Sequence, residues 1–570
     1  MYCINPIQLF SFMLVESNIK EKLRDVLFGC LKKVSENYNI SLDEIGFVEI
    51  DRPANLEHGD YATNLPLRLT KQFKNNPMVI ANQIVSEWPE TDFVSDVSVA
   101  APGFINFKLD DKWLQNRVTQ IIEDGSCFGN NTVNDAKHVM IEFVSVNPTG
   151  PVHVGHARGA VIGSSLANIM SAAGYRVTRE YYINDAGNQM QLFFESVLAR
   201  YRELLGISFA LPEGGYQGDY IKDVAELVHS EFGDSLIDNP EAINEMAQFS
   251  TDTMLNAISD DLCELRVEFD NWFSEKSLFG SDEYTDTIGE LESKSYLKKM
   301  DSALWFVSTM LEEEKDNVIV KSTGEPTYFA SDIAYHRNKF KTRGFDQVID
   351  IWGADHQGHI SRLKAAMRAL DIDDSKLKIL ISQMVTLKQG DEIVKASKRT
   401  GDFVTVKELV EEVGSDACRY FFLTRSASSQ MEFDMELAKK TSNENPVYYI
   451  QYAHARIKNI LALASDNEID WYQADLSLLN NIHELNLIKA LMRLPEVIYQ
   501  VADSLEPHHM PHYALELASY AHAFYEHCRV ISSNPDDEAI TKARLRLIEA
   551  AQVVFEKSLN LMGMDAPDRM

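Results

Sequence analysis

The sequence is poor in cysteine, in positive charge and in long apolar runs. Its six cysteines, Cys3, Cys30, Cys127, Cys263, Cys418 and Cys528, are scattered over 570 residues and include no CxxC pair. This argues against a disulfide framework or a zinc ribbon and suits a reducing cytoplasm. Ile7 to Val15 is mostly apolar, but no Lys or Arg precedes it and no small-residue cleavage site follows, so no signal peptide is expected. No other run approaches the ~20 apolar residues of a membrane span. Lys and Arg number 54 against 86 Asp and Glu, a net charge of −32. Such a balance disfavours unspecific binding to nucleic acid, so any nucleic-acid site must be a local basic patch. There is no internal repeat. With 45% apolar and 25% charged residues, collagen-like, low-complexity and disordered chains are excluded too.

What is present is enough chain for roughly three to four domains. Residues 1–125 read as a small α+β unit. Ile19, Leu23, Val26, Leu27 and Leu31 keep helical spacing between Ser17 and Tyr38, and Val94 to Phe107 reads as two strands turning at Pro102-Gly103. Gly125 to Ala136 is a Gly/Asn/Asp-rich boundary. Residues 135–440 then alternate strands and helices. Strands are expected at His138–Ser145, Arg176–Ile183, Val348–Trp352 and Leu377–Leu387, with helices at Val154–Ala173 and His359–Leu370. A mainly helical, acidic insertion at about 190–320 interrupts the alternation. This pattern predicts a Rossmann-type parallel sheet of right-handed βαβ units. Ligands of such sheets sit at the carboxyl ends of the strands, so the loops after Ser145, Trp352 and Leu387 should converge. Residues 441–570 read as an all-helical bundle, with segments near 446–463, 477–502, 511–532 and 538–561.

Two motifs carry chemistry. The first, Val146-Asn147-Pro148-Thr149-Gly150-Pro151-Val152-His153-Val154-Gly155-His156, runs from a strand end into a helix start. His153 and His156 are three apart and share one side of the first turn. Free N–H groups and the positive dipole end there suit phosphate. Two imidazoles could donate to charge developing on a phosphoryl group, and Gly155 leaves room for a base. The second motif, Lys395-Ala396-Ser397-Lys398, places two ammonium groups three residues apart in a loop, able to grip a triphosphate as point charges. Each alone also fits a plainer reading: two surface histidines capping a helix, or a solvated basic turn.

Together, in this order and about 240 residues apart on such a sheet, they resemble the HIGH and KMSKS motifs of class I aminoacyl-tRNA synthetases. Ala396 departs from the family's methionine but leaves both lysines in place. Further stretches resemble the arginyl-tRNA synthetases over nearly the whole chain: EFVSVNPTGPVHVGHARG (142–159), REYYINDAGNQ (179–189), YFASDIAYH (328–336), IWGADHQGH (351–359), SDACRYFFLTRS (415–426), NPVYYIQYAHARI (445–457), FYEHCRV (524–530) and APDRM (566–570). HGDYATN (58–64) and APGFINF (101–107) resemble that family's additional N-terminal tRNA-binding domain.

The resemblance implies an arginine–tRNA ligase. Arginine is activated with ATP to arginyl-adenylate, then transferred to the terminal adenosine of tRNA(Arg). It assigns Tyr328 and Asp332 to the arginine side chain with Glu142 nearby, and Ser145 and Asn147 to the substrate's α-amino and carboxylate groups. Gly155, Gly353, Asp355 and Ser397 would meet ATP, while His153, His156, Lys395 and Lys398 serve the phosphates. ATP and Mg²⁺ are implied as a substrate complex, with no structural metal. The implied partners are tRNA(Arg), L-arginine and ATP, in a cytoplasmic monomer without membrane contact. Activation of arginine is expected to need bound tRNA. The bundle would read the anticodon through Tyr448, Tyr452, Arg456, Arg529 and Met570, with Tyr449, His454 and Arg569 as further candidates. From Pro446 to Met570 there are 10 Lys and Arg against 17 Asp and Glu, so that face must be a narrow stripe.

Rival readings remain at this point. Another class I synthetase would want different side-chain partners: thiolate–zinc ligands for cysteine, cations in place of Glu142 and Asp332 for glutamate. A nucleotidylyltransferase would be shorter and lack the bundle. A non-catalytic tRNA-binding relative would not need both intact motifs.

Overall fold

A computed structural model describes residues 19–570 apart from 39, 41–47, 54, 132–136, 208–209, 237–239, 391 and 395–403. At its centre is a five-stranded, all-parallel sheet. Its order is Leu377–Ser382, Gln347–Gly353, His138–Glu142, Arg176–Ile183, Asn271–Ser274. The strands are rich in apolar residues because helices cover both faces. The helix Val154–Ala172 crosses the sheet closely. At Gly163 an added Cβ would lie 2.3 Å from the Phe143 ring, so only glycine permits this approach. Gly174, at φ +88, turns the chain from that helix into the next strand.

Three sequence expectations need correction. The first strand ends at Glu142 rather than Ser145. Val144 and Ser145 take left-handed φ values of +70° and +44°, which no strand accommodates. The expected strand Leu377–Leu387 is two strands. Leu377–Ser382 belongs to the central sheet, while Val385–Gln389 pairs with Glu392–Ile393 and Met431–Asp434 in a separate three-stranded sheet. Thirdly, the insertion is not only helical. Besides the helices Asn188–Leu204, Asp219–Phe232 and Pro240–Glu264, it supplies the edge strand Asn271–Ser274 and a small antiparallel sheet, Leu297–Met300, Ala303–Phe306 and Asn317–Val320. Four-residue strands are too short to show a period, and pairing with a neighbour decides them.

In the N-terminal unit the helix Ile19–Glu36 buries Leu23, Leu27 and Leu31 and packs on the helix Pro77–Ser86, which lies against a three-stranded antiparallel sheet. It docks on the C-terminal bundle through polar groups. Lys489 pairs with Asp60 at 2.7 Å, and the buried Tyr61 hydroxyl accepts from Arg52 at 2.7 Å and donates to Glu496. The helix Asp111–Asp124, on the N-terminal side of the sequence boundary at 125, packs on the bundle helices Ile482–Leu491 and Glu538–Met562. The bundle also contains Pro446–Asp466, Leu494–Ser504 and His509–His527. The expected helix 477–502 is broken at Met492 and Arg493. Pro495, which has no N–H to give, falls in the first turn of the helix that follows.

Candidate active site

The first motif sits where the sheet's central strand ends and the helix Val154–Ala172 begins. His153 is the N-cap: its Nδ1 accepts from the Gly155 N–H at 3.1 Å. That bond fixes the tautomer, leaving Nε2–H as the donor. The His156 ring stacks on His153 with centroids 3.8 Å apart and planes 35° apart. Burial lowers both imidazoles' pKa, and His156, also facing His153, falls to about 3. Both rings are neutral at pH 7 in the free protein. Among the described residues buried His156 Nδ1 has no hydrogen-bond partner. Gly155 has a local reason to be glycine, because an added Cβ would come within 2.8 Å of the His153 ring.

The rest of the motif is held from several sides. Tyr181 donates to the Val146 carbonyl at 2.8 Å, and Tyr220 of the insertion donates to that of Thr149 at 2.8 Å. Pro148, Thr149 and Val152 are buried; Gly150 and Pro151 are half-buried. Asn147 donates its side-chain N–H to Gln189. Ser145 accepts from the Tyr182 N–H at 3.1 Å and donates to Glu142 Oε1 at 3.0 Å.

Glu142 is buried and paired. Lys339 donates to its Oε2 at 2.5 Å and to Asp350 Oδ1 at 2.9 Å. His336 bridges Asp350 Oδ2 and the Asp332 backbone carbonyl, each at 2.7 Å. Burial raises the pKa of Glu142 despite Lys339. For Asp350 burial is outweighed by Lys339 and His336, which hold it down to about 2. Tyr328 opens the helix Tyr328–Arg337 and is 59% exposed, with Gly187 beside its hydroxyl. Asp332 lies one turn further along. Burial, with Glu142 and Glu275 adding repulsion, pushes it up to about 6. Asp185, Glu275 and Tyr182, absent from the sequence reading, extend this acidic region. Among the described residues Glu275 Oε2 and the Tyr182 hydroxyl are buried without partners. Only Asp185 and Tyr182 carried a signal, inside the stretch 179–189.

Gly353 closes its strand, with no space for a Cβ beside the Asp355 carboxylate 2.6 Å away. Asp355 is exposed, pairs with His356 at 3.4 Å, and acts on the charge of His156, so this turn faces the histidine pair. Lys395, Ser397 and Lys398 lie outside the described residues. The chain after them returns to the histidine motif. Thr405 forms a bridge with His153, the Val154 N–H donates to Val404 O at 3.0 Å, and the Val406 N–H donates to Val152 O at 2.8 Å.

In the bundle, Tyr448 and Tyr452 have parallel rings 5.8 Å apart, and His522 stacks on Tyr452 at 6.0 Å. Arg456, one turn on, covers the Tyr525 ring at 4.6 Å. Tyr452 and Arg456 are exposed, as are Arg529, Arg569 and Met570. Tyr449 packs against His522 at 4.3 Å. His454 is not on this face. It is buried on the side where its ring meets the Pro567 carbonyl at 3.0 Å and Glu556 at 3.3 Å. Among the described residues Arg529 makes no ring contact with the tyrosines; its guanidinium donates to the nearby Ile531 carbonyl at 3.1 Å. Glu506, His508 and His509, whose ligand atoms lie within 4.8 Å of one another, form a cluster suited to a cation on the bundle, apart from this site. Among the described residues no helix is long and apolar enough to cross a membrane.

Three family models match: an arginyl tRNA synthetase N terminal domain over residues 14–109, a class I (R) tRNA synthetase catalytic domain over 117–457, and a DALR anticodon binding domain over 450–570. The arginine–tRNA ligase of Dehalococcoides mccartyi is 50% identical over 92% of this chain and 94% of its own length. That of Carboxydothermus hydrogenoformans is 45% identical over 96% and 99%. The fold is similar to that of Thermus thermophilus arginyl-tRNA synthetase, with a TM-score of 0.76 at 21% identity over 97% of this chain and all of that one.

Proposed function

The chain belongs to the arginyl-tRNA synthetase family and is an arginine–tRNA ligase, and from this premise we propose which residues do the work. It joins L-arginine to tRNA at the expense of ATP. The observation that carries the site reading is Asp332, a carboxylate kept where burial and two neighbouring carboxylates oppose its charge. An arriving guanidinium relieves that opposition, so the site favours a cationic side chain. Tyr328 covers the guanidinium from the solvent side and Glu142 offers Oε1. Ser145 and Asn147 hold the α-amino and carboxylate groups.

The arginine carboxylate attacks the α-phosphate of ATP, forming arginyl-adenylate and releasing pyrophosphate. A ribose hydroxyl of the tRNA's terminal adenosine then takes the arginyl group and AMP leaves. His153, through Nε2–H, and His156 donate to the phosphoryl oxygens as charge builds. Lys395 and Lys398 meet the β- and γ-phosphates, with Ser397 between them. Gly155, Gly353 and Asp355 border the adenosine. ATP enters as its Mg²⁺ complex, the ion carried by the substrate's own phosphates. Tyr448, Tyr452 and Arg456 form a stacking stripe for single-stranded anticodon bases, and the exposed Arg529 and Met570 are further tRNA contacts. The protein works as a cytoplasmic monomer, and arginine activation waits for tRNA.

Arginine-dependent ATP–pyrophosphate exchange, run with and without tRNA(Arg), tests this reading. Exchange with arginine only when tRNA is present is expected. Exchange supported by lysine or glutamate would mean that the acidic pocket has been misassigned.

A further inference from the structure

Lys339 has no place in the chemistry above, yet it is fully buried, as lysine almost never is without partners. It lies in the π-turn Asn338–Thr342 that continues the helix carrying Tyr328 and Asp332. Its Nζ reaches Glu142 Oε2 at 2.5 Å and Asp350 Oδ1 at 2.9 Å, and sits 4.2 Å from the Tyr335 ring centroid. His336 stands beside it, its Nδ1 against the Asp332 backbone carbonyl and its Nε2 against the Asp350 carboxylate, each at 2.7 Å. Two carboxylates thus meet one ammonium group and one imidazole beneath the pocket. The network ties two sheet strands to the arginine-binding helix.

The division of Glu142's oxygens is the informative detail. Lys339 occupies Oε2, while among the described residues Oε1 meets only the Ser145 hydroxyl. Without the ammonium group, Glu142 would keep the burial and the Asp350 charge that favour its protonated form and lose the cation that opposes them. A protonated Glu142 presents an O–H where a guanidinium needs an acceptor. Asp332, Tyr182, Tyr335 and Arg343 are the other titratable and charged groups acting on Glu142 or acted on by it. Arg343 is already committed to Glu180 at 2.8 Å, as is the Tyr335 hydroxyl at 2.6 Å, so neither replaces Lys339.

We propose that Lys339 is a positioning residue that holds the Glu142 carboxylate, as an anion, toward the arginine guanidinium and thereby sets the affinity for arginine. This rests on the reading of Glu142 as an arginine contact.

Lys339→Met keeps the side chain's length and removes its charge. In aminoacylation by the full-length enzyme with a tRNA(Arg) transcript, the KM for arginine should rise about ten-fold or more at pH 7, with the KM for ATP within about two-fold. Relative to the parent enzyme, that excess should shrink as the pH is raised toward about 9 and Glu142 loses its proton. An unchanged arginine KM, or equal rises for arginine and ATP, overturns the proposal. Glu142→Gln tests the premise separately. If it leaves the arginine KM unchanged, Glu142 is not a contact; if it raises that KM while Lys339→Met does not, only the role of Lys339 falls. Should Lys339→Met fail to fold, Glu142→Gln is compared with Glu142→Gln/Lys339→Met. Arginine KM values equal within about two-fold support action through Glu142, and a further rise of about five-fold or more overturns it.

Discussion

The Val154 N–H donates to the Val404 carbonyl at 3.0 Å, which ties the first helical residue after His153 to the first described residue beyond Lys395–Lys398. A second bond, from the Val406 N–H to Val152 O at 2.8 Å, completes the rung. The segment that follows the second motif is thus tied to the first motif by backbone pairing.

Val406→Pro tests what that rung contributes. Val406 is the first residue of the helix Val406–Val413, where proline is tolerated, and Thr405 before it already has the extended φ of −77° and ψ of 160° that proline requires. The substitution removes one donor and leaves the helix. We expect a cost of about 1–3 kcal/mol for the stranded Val152 carbonyl. The kcat of aminoacylation should fall about ten-fold while the arginine KM holds. Thermal melting and steady-state kinetics check both.

Asp332 should trade stability against binding. Its pKa is raised by burial and by Glu142 and Glu275 to about 6, so the folded protein binds a proton there that the unfolded chain releases near the ordinary carboxylate value. Its contribution to stability is therefore present at low pH and is lost as pH rises toward about 6. Arginine affinity has the opposite slope, rising through about pH 6 as the carboxylate ionises. Asp332→Asn should gain about 1–3 kcal/mol of stability at pH 7 and flatten that part of the stability–pH curve. The same change should raise the arginine KM about 100-fold.

Gly163 sets how closely the helix Val154–Ala172 lies on the sheet. Gly163→Ala puts a methyl group 2.3 Å from the Phe143 ring, immediately before the left-handed pair Val144 and Ser145. Overpacking of this kind costs about 1–3 kcal/mol. A lower melting temperature should come with a raised arginine KM, because relieving the clash moves the strand end that carries Ser145.

Tyr452 is the exposed member of the Tyr448–Tyr452–His522 stack. Tyr452→Ala should raise the KM for tRNA about ten-fold, in line with the ~1–3 kcal/mol of a stacked base, and leave the arginine KM unchanged. Filter-binding and aminoacylation assays with tRNA(Arg) read this directly.

The alternation of strands and helices was legible because buried parallel strands are continuous apolar runs, as at Val139 to Ile141, and the strand Arg176–Ile183 falls where its residues predict it. The helix Val154–Ala172 was equally plain, with its histidine cap and Gly174 beyond its end. Its partner strand's early stop at Glu142 was not, because the left-handed φ of Val144 and Ser145 belongs to two residues that ordinarily avoid it. The strand Asn271–Ser274 was hidden for a different reason: four residues hold too little pattern, and pairing with Glu180–Ile183 made the strand.

Local sequence determined the spacing of His153 and His156, the capping of their helix, the one-turn separation of Tyr328 and Asp332, and the Tyr448, Tyr452, Arg456 stripe, since each is a matter of helical period. Only the tertiary structure decided which charges meet. No motif in the sequence singles out Lys339, yet it stands between Glu142 and Asp350. His454 reads as a member of the aromatic stripe, yet it turns to the Pro567 carbonyl. Burial and partnering are properties of segments brought together from far along the chain, and the electrostatic cost of a buried charge is set by those partners rather than by its sequence neighbours.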